Sequence, residues 1–166
     1  VIIIFITLLL PLAIVWLIGG SGEGQSPIES GTVSVYVSEE DCVKDMDINE
    51  YLKCVVAAEM PAAFPEEALK AQAVAARTYA LKKMSAQAAT YDVVDTTSDQ
   101  VYNGTPAGND RCAQAVRETS GIIGTVGGEY MASYYTASNG GQTESVKNAW
   151  GSGSYSYLQI KDDPYD

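Results

Sequence analysis

Pro61 is the residue that most limits what this chain can fold into. It follows Val55-Val56-Ala57-Ala58-Glu59-Met60 and precedes Pro65-Glu66-Glu67-Ala68-Leu69-Lys70. Proline disfavours helical geometry at the residue before it, so a helix over 47–59 must end near Glu59. Asp47 suits the N-cap, and Glu50 three residues on completes a capping-box pattern. A second helix starts at Pro65, a favoured first-turn residue. Glu66 and Glu67 suit the positive end of its dipole, and Lys82 and Lys83 the negative end. Its Ala-rich middle lets neighbouring elements approach closely. Lys70 and Arg77 are the only charges between Glu67 and Lys82. Seven residues apart, they fall within about 20° on the helical wheel and form one basic stripe.

Glu59 is a lone carboxylate closing an apolar helical stretch. Desolvation disfavours a charged carboxylate, and the negative end of a helix dipole repels it. Both effects favour the protonated form that a general acid needs near neutral pH. Glu59 is therefore the leading candidate for chemistry.

Outside this helix pair the pattern is β-like. Thr32-Val33-Ser34-Val35-Tyr36-Val37 alternates with period two and predicts a strand, with a short partner around Val43 after the acidic turn Glu39-Glu40-Asp41. Tyr91 to Val94 and Gln100 to Tyr102 flank a polar turn and predict strand, loop, strand. A shorter helix is expected over 109–119, with Ala113, Val116 and Cys112 facing inward. Residues 122–126 and 129–135 predict a hairpin around Gly127-Gly128. A polar, Gly-rich stretch follows, with Trp150 as its apolar anchor, and 155–160 predict one last strand. The expected class is α+β, with helices packed on antiparallel strands.

Residues 1–18 contain no charge and come close to the roughly 20 apolar residues that span a bilayer core. A cleaved signal peptide is the alternative, but its apolar region is normally about 7–15 residues. We therefore expect an N-terminal transmembrane helix over 1–18, entered without an initiator Met. Residues 19–31 are Gly/Ser-rich, a flexible linker, and carry no Lys or Arg. The positive-inside rule then places the domain over 32–166 outside the cytoplasm on a single-pass anchor in the cell membrane.

A net charge of −11 argues against nucleic acid as a partner. The absence of histidine excludes a Ser-His-Asp triad, a Cys-His pair and any His-containing zinc site within these residues. Cys42, Cys54 and Cys112 show no metal-clip or redox spacing. They read as small buried hydrophobes, with a Cys42–Cys54 bridge as an alternative.

The run from Tyr51 to Pro61, continued by Glu67 to Leu81, resembles the stage II sporulation protein D family. So do Asp95-Thr96-Thr97 with Gln100-Val101-Tyr102, and Ser138-Asn139-Gly140-Gly141-Gln142-Thr143-Glu144. Trp150-Gly151, Tyr157-Leu158 and Asp162 to Asp166 also fit. The resemblance extends over most of 32–166. It implies a lytic transglycosylase acting on peptidoglycan glycan strands, leaving a 1,6-anhydro sugar end in septal wall thinning and engulfment during sporulation. Other cell-wall enzymes at the septum are the implied protein partners. The resemblance also extends to an amidase-enhancer protein, so a non-catalytic wall-binding or regulatory module is the alternative.

A glycosidase that uses water ordinarily needs two carboxylates. In a lytic reaction the sugar's own C6 hydroxyl is the nucleophile, so one acid suffices, and Glu59 fits that role. By motif, Lys70 and Arg77 match positions that support the active site, acting on acetamido or lactyl groups or on Glu59. Satisfied core ions or snorkelling surface side chains are the other reading of this pair. Gln100, Tyr102, Ser138 and Asn139 are candidate polar groups of the cleft. Of Tyr134 and Tyr135, which alternate on a strand, one packs inward and the other can stack on sugar; Tyr135 is taken as the sugar contact. Asp95 and Asp99, in a Thr/Ser-rich turn, are expected to cap the backbone. Some relatives bind zinc through a His and a Cys where this chain has Ser98 and Asp99, so neither a metal nor another cofactor is expected. The family's following Gly-rich region helps complete the cleft; with the sequence ending at Asp166, a truncated domain is expected.

Overall fold

The computed structural model describes residues 31–86, 90–104 and 110–164, the side chain of Asp110 excepted. The expected membrane segment, and the linker apart from Gly31, lie outside these residues. Among the described residues no helix is long and apolar enough to cross a membrane. The chain divides into two compact units, Val1–Ala132 and Ser133–Asp166.

In the first unit, β1 (Thr32–Val37) and β2 (Cys42–Asp47) form an antiparallel hairpin with Thr32 opposite Asp47 and Val37 opposite Cys42. The period-two pattern of β1 works as it should: Val33 and Val35 are buried, while Ser34 and Tyr36 point to the other face. Strand β3 is only Val93–Val94 and pairs in parallel with β1, giving the order β2-β1-β3. The sheet is therefore mixed, a correction to the antiparallel expectation. The helix pair between β2 and β3 is a crossover connection, which a parallel pair requires.

Helix α1 (Ile48–Glu59) starts where Asp47 caps it, its carboxylate accepting from the Asn49 and Glu50 amides at 2.8 and 3.2 Å. Glu50 pairs with Lys53. Ile48, Tyr51, Leu52, Val55 and Val56 are buried, the i, i+3, i+4, i+7, i+8 stripe of a helix with one apolar face. Met60 leaves the helix in extended geometry, its N–H still bonded to the Val56 carbonyl at 3.1 Å. Helix α2 (Glu66–Ala86) follows, with Leu69, Ala73, Ala76 and Ala80 fully buried. Its alanines present no bulk, so α1 on one side and α3 (Asp110–Glu118) on another pack closely against it. Helix α3 adds Cys112, Ala115 and Val116 to the core. Ala113, expected inward, is only half-buried.

A two-residue turn at Gly127-Gly128 joins β4 (Thr125–Val126) to β5 (Glu129–Tyr130). Both glycines have positive φ, 61° and 85°, as a type I′ turn demands. Cys42, Cys54 and Cys112 are all free thiols.

The second unit is mostly irregular. A five-residue helix, α4 (Val146–Trp150), is capped by Ser145 and ends at Gly151 with φ 76°. The strand expected over 155–160 does not form. Pairing falls later instead: Gln142 bridges Asp162, Thr143 N–H donates to the Lys161 carbonyl, and Asp163 N–H to the Gly141 carbonyl. Trp150, expected as the apolar packing anchor of this stretch, is 60% exposed and lies against Tyr134 with ring centroids 4.7 Å apart.

Candidate functional site

Glu59 is the last residue of α1 and is half-buried. Its Oε1 accepts the main-chain N–H of Val101 at 2.8 Å, a contact across 42 positions of sequence. The chain then turns away through Pro61 to Pro65. Arg111 of α3 holds that turn by donating to the Ala62 and Phe64 carbonyls. A half-buried carboxyl group thus stands at the end of a helix whose apolar face is in the core, with a main-chain N–H donating to it.

The segment that supplies this donor is heavily anchored. Gln100 is wholly buried; its Oε1 accepts from the Tyr51 hydroxyl at 3.2 Å and its Nε2 donates to the Ala76 carbonyl at 3.2 Å. Tyr102 stacks on Tyr51, with centroids 5.5 Å apart. Burial pushes the Tyr102 phenol and the Cys54 thiol up, so both stay protonated at neutral pH. Gln100 to Tyr102 were expected as a strand. They form an irregular segment instead, returned beside β3 by main-chain bonds from Gln100 N–H to Val94 and Tyr102 N–H to Asp95.

Both neighbouring aspartates serve the backbone. Asp95 accepts from the Ser38 amide and hydroxyl. Asp99 accepts from the Val94 amide at 2.9 Å and the Tyr79 hydroxyl at 2.6 Å, and pairs with Lys83 at 2.7 Å. This is the role expected of acids in such a turn.

The basic stripe of α2 faces α3. Arg77 is 1% exposed, and its guanidinium donates to the Thr119 carbonyl at 2.8 Å and the Val116 carbonyl at 2.9 Å. Longer bonds reach the Thr119 hydroxyl and the Ile122 carbonyl. These carbonyls lie at and just beyond the C-terminus of α3, where helix carbonyls lack internal partners and favour a cation. Burial lowers the proton affinity of Arg77, yet a guanidinium remains charged in proteins. Lys70 pairs with Glu66 at 2.5 Å, Glu67 at 3.2 Å and Glu118 of α3 at 2.8 Å. Its hydrogen bond to Glu118 leads those that push its pKa up, and Glu118 is held below the usual carboxylate range by the same bond. These contacts are those of satisfied ions that tie α2 to α3.

Tyr135, Ser138 and Asn139 belong to the second unit. Asn139 donates to the Asp163 carboxylate at 2.9 Å and accepts from Gly141 N–H at 2.9 Å. Ser138 is exposed and accepts from Gly140 N–H. Tyr135 is half-buried, whereas Tyr134 is exposed. Within the first unit Val101 contacts Glu59 directly, and Tyr51, Gln100 and Tyr102 anchor the segment that carries it. Tyr51 was not singled out as a site residue, because an aromatic on the apolar stripe of a helix reads as core. Val101 was missed because its contribution is a main-chain N–H, which no side-chain pattern signals.

Residues 36–125 match the family model described as stage II sporulation protein. The amidase enhancer of Bacillus subtilis is 43% identical over 115 residues, 69% of this chain and 15% of that protein. Stage II sporulation protein D of Bacillus amyloliquefaciens is 34% identical over 159 residues, 86% of this chain and 45% of that protein. An uncharacterized protein of Brachyspira hyodysenteriae is 43% identical over 111 residues, 66% of this chain and 30% of that protein. The chain spans less than half the length of each of these relatives.

Proposed function

This chain belongs to the stage II sporulation protein family, and from that premise we propose that it carries the catalytic carboxyl of a peptidoglycan lytic transglycosylase. The enzyme cleaves the MurNAc–GlcNAc bond during septal wall remodelling in sporulation. Its domain stands outside the cytoplasm, anchored through residues 1–18. The observation that carries this reading is Glu59: a half-exposed carboxyl at the end of a buried helix, oriented by the Val101 N–H. Asp95 and Asp99, the acids of the turn that supplies the Val101 donor, are held by amide and hydroxyl donors, which supports a reading with a single catalytic acid.

One acid suffices for the chemistry. The Glu59 carboxyl donates its proton to the glycosidic oxygen as the bond to MurNAc C1 breaks, and GlcNAc leaves with a free hydroxyl. The MurNAc C6 hydroxyl closes on C1 and gives its proton to the Glu59 carboxylate, which restores the acid. No water is consumed, in contrast to the two-carboxylate hydrolases.

Incubating the full-length protein with glycan strands stripped of stem peptides tests this. Products lighter by one water than hydrolytic fragments, and absent with Glu59→Gln, support the proposal. No cleavage by the wild-type protein defeats it. A second reading, a non-catalytic module that modulates another wall enzyme, is favoured by the 43% identity to a protein named amidase enhancer. On that reading the Glu59→Gln protein stimulates an added amidase as well as wild type does.

A further inference from the structure

The segment 94–102 is fastened on every side of one main-chain donor. Before it, Asp99 closes the turn onto the Val94 amide and is gripped by Tyr79 and Lys83 of α2. Directly before it, the Gln100 side chain spans two helices, taking the Tyr51 hydroxyl of α1 and giving its amide to the Ala76 carbonyl of α2. Directly after it, Tyr102 stacks on Tyr51. Between these two anchors Val101 turns its N–H onto Glu59 Oε1 at 2.8 Å. Tyr51 and Glu59 belong to the same helix, eight residues apart, so helix, clamp and donor form a closed loop of contacts that returns to the carboxyl.

A wholly buried Gln with both ends bonded is a rigid spacer, because moving it leaves polar groups unpaired in the core. A carboxyl that must donate and then recover a proton needs a fixed orientation relative to the sugar. We infer that Tyr51 and Gln100 are positioning residues for the reaction: they aim Glu59 through the Val101 N–H and do not touch the glycan. This assignment rests on the proposed role of Glu59 as the proton carrier. It also moves Gln100 from a cleft-lining group to one that acts from the core.

Two variants of the full-length protein test it, Tyr51→Phe, which deletes one hydroxyl and keeps the ring, and Gln100→Met, which keeps the bulk. Hydrogen exchange at the Val101 amide reads the clamp directly, with Glu59→Ala as the reference for a released donor. Val101 should exchange about fivefold faster in Tyr51→Phe, the factor equivalent to one net hydrogen bond of about 1 kcal/mol. The core amides of α2 should be unchanged. On stripped glycan strands kcat should fall about as much, with KM unaltered. Unchanged Val101 exchange and kcat in a folded Tyr51→Phe protein overturn the inference. So does acceleration of all core amides alike, which marks general loosening. Should Gln100→Met not fold, Tyr51→Phe decides alone. A wild-type protein that cuts no glycan defeats the proposed function, while Val101 exchange still decides whether the clamp holds Glu59.

Discussion

Replacing Arg77 with methionine removes four donated contacts at once, two of them short, at 2.8 and 2.9 Å. A hydrogen bond from a charged donor contributes about 1.5–3 kcal/mol net, so the short pair amounts to roughly 3–6 kcal/mol. Methionine refills much of the volume and relieves the burial of a charge, which offsets part of that loss. The Val116 and Thr119 carbonyls, however, lose a buried partner. We expect a net loss of about 3 kcal/mol, the lower end of that roughly 3–6 kcal/mol range. Urea unfolding is the assay. With a slope of about 1–3 kcal/mol per molar for a domain of this size, the midpoint should fall by at least about 1 M at unchanged slope. Arg77→Lys should fall between, because a single ammonium cannot reproduce the guanidinium fork. A midpoint shift worth less than about 1 kcal/mol would refute the capping account. Lost cleavage in a fully stable Arg77→Met protein would instead return the guanidinium to the substrate.

Two further outcomes follow from other groups of the first unit. The Tyr130 hydroxyl is buried without a hydrogen-bond partner among the described residues, so Tyr130→Phe should raise the unfolding free energy by about 1 kcal/mol; destabilisation of similar size would contradict this. Glu118 is held low chiefly by its hydrogen bond to Lys70, so its contribution is complete above the ordinary value of 4.5 and is lost as pH falls through the lowered one. Stability of Glu118→Gln, followed by urea midpoint against pH, should therefore decline less than wild type below about 4.5, and parallel curves would disprove the pairing.

Local signals in the sequence carried the helix pair and the position of Glu59. Asp47 at the start and Pro61 at the end act within a few residues, so the sequence displays them directly. The same holds for β1 and for the Gly127-Gly128 turn. What needed the structure depends on distant partners. The wheel put Lys70 and Arg77 on one stripe but could not say that the C-terminus of α3 lands on it. Gln100 to Tyr102 alternate like a strand, yet Asp99 binds them into a turn and their side chains face two helices. The parallel pairing of β3 depends on where the chain returns after α2. In the second unit, 155–160 have strand composition, but the pairing falls two residues further on, at Asp162.

The central claim is that Glu59 cuts a glycan without water. Running the reaction of the full-length protein on stripped glycan strands in heavy-oxygen water measures this directly, with products weighed by mass spectrometry. The account predicts new anhydro ends that carry no label and do not form with Glu59→Gln. Labelled reducing ends at the cut would show that water had attacked, and would contradict it.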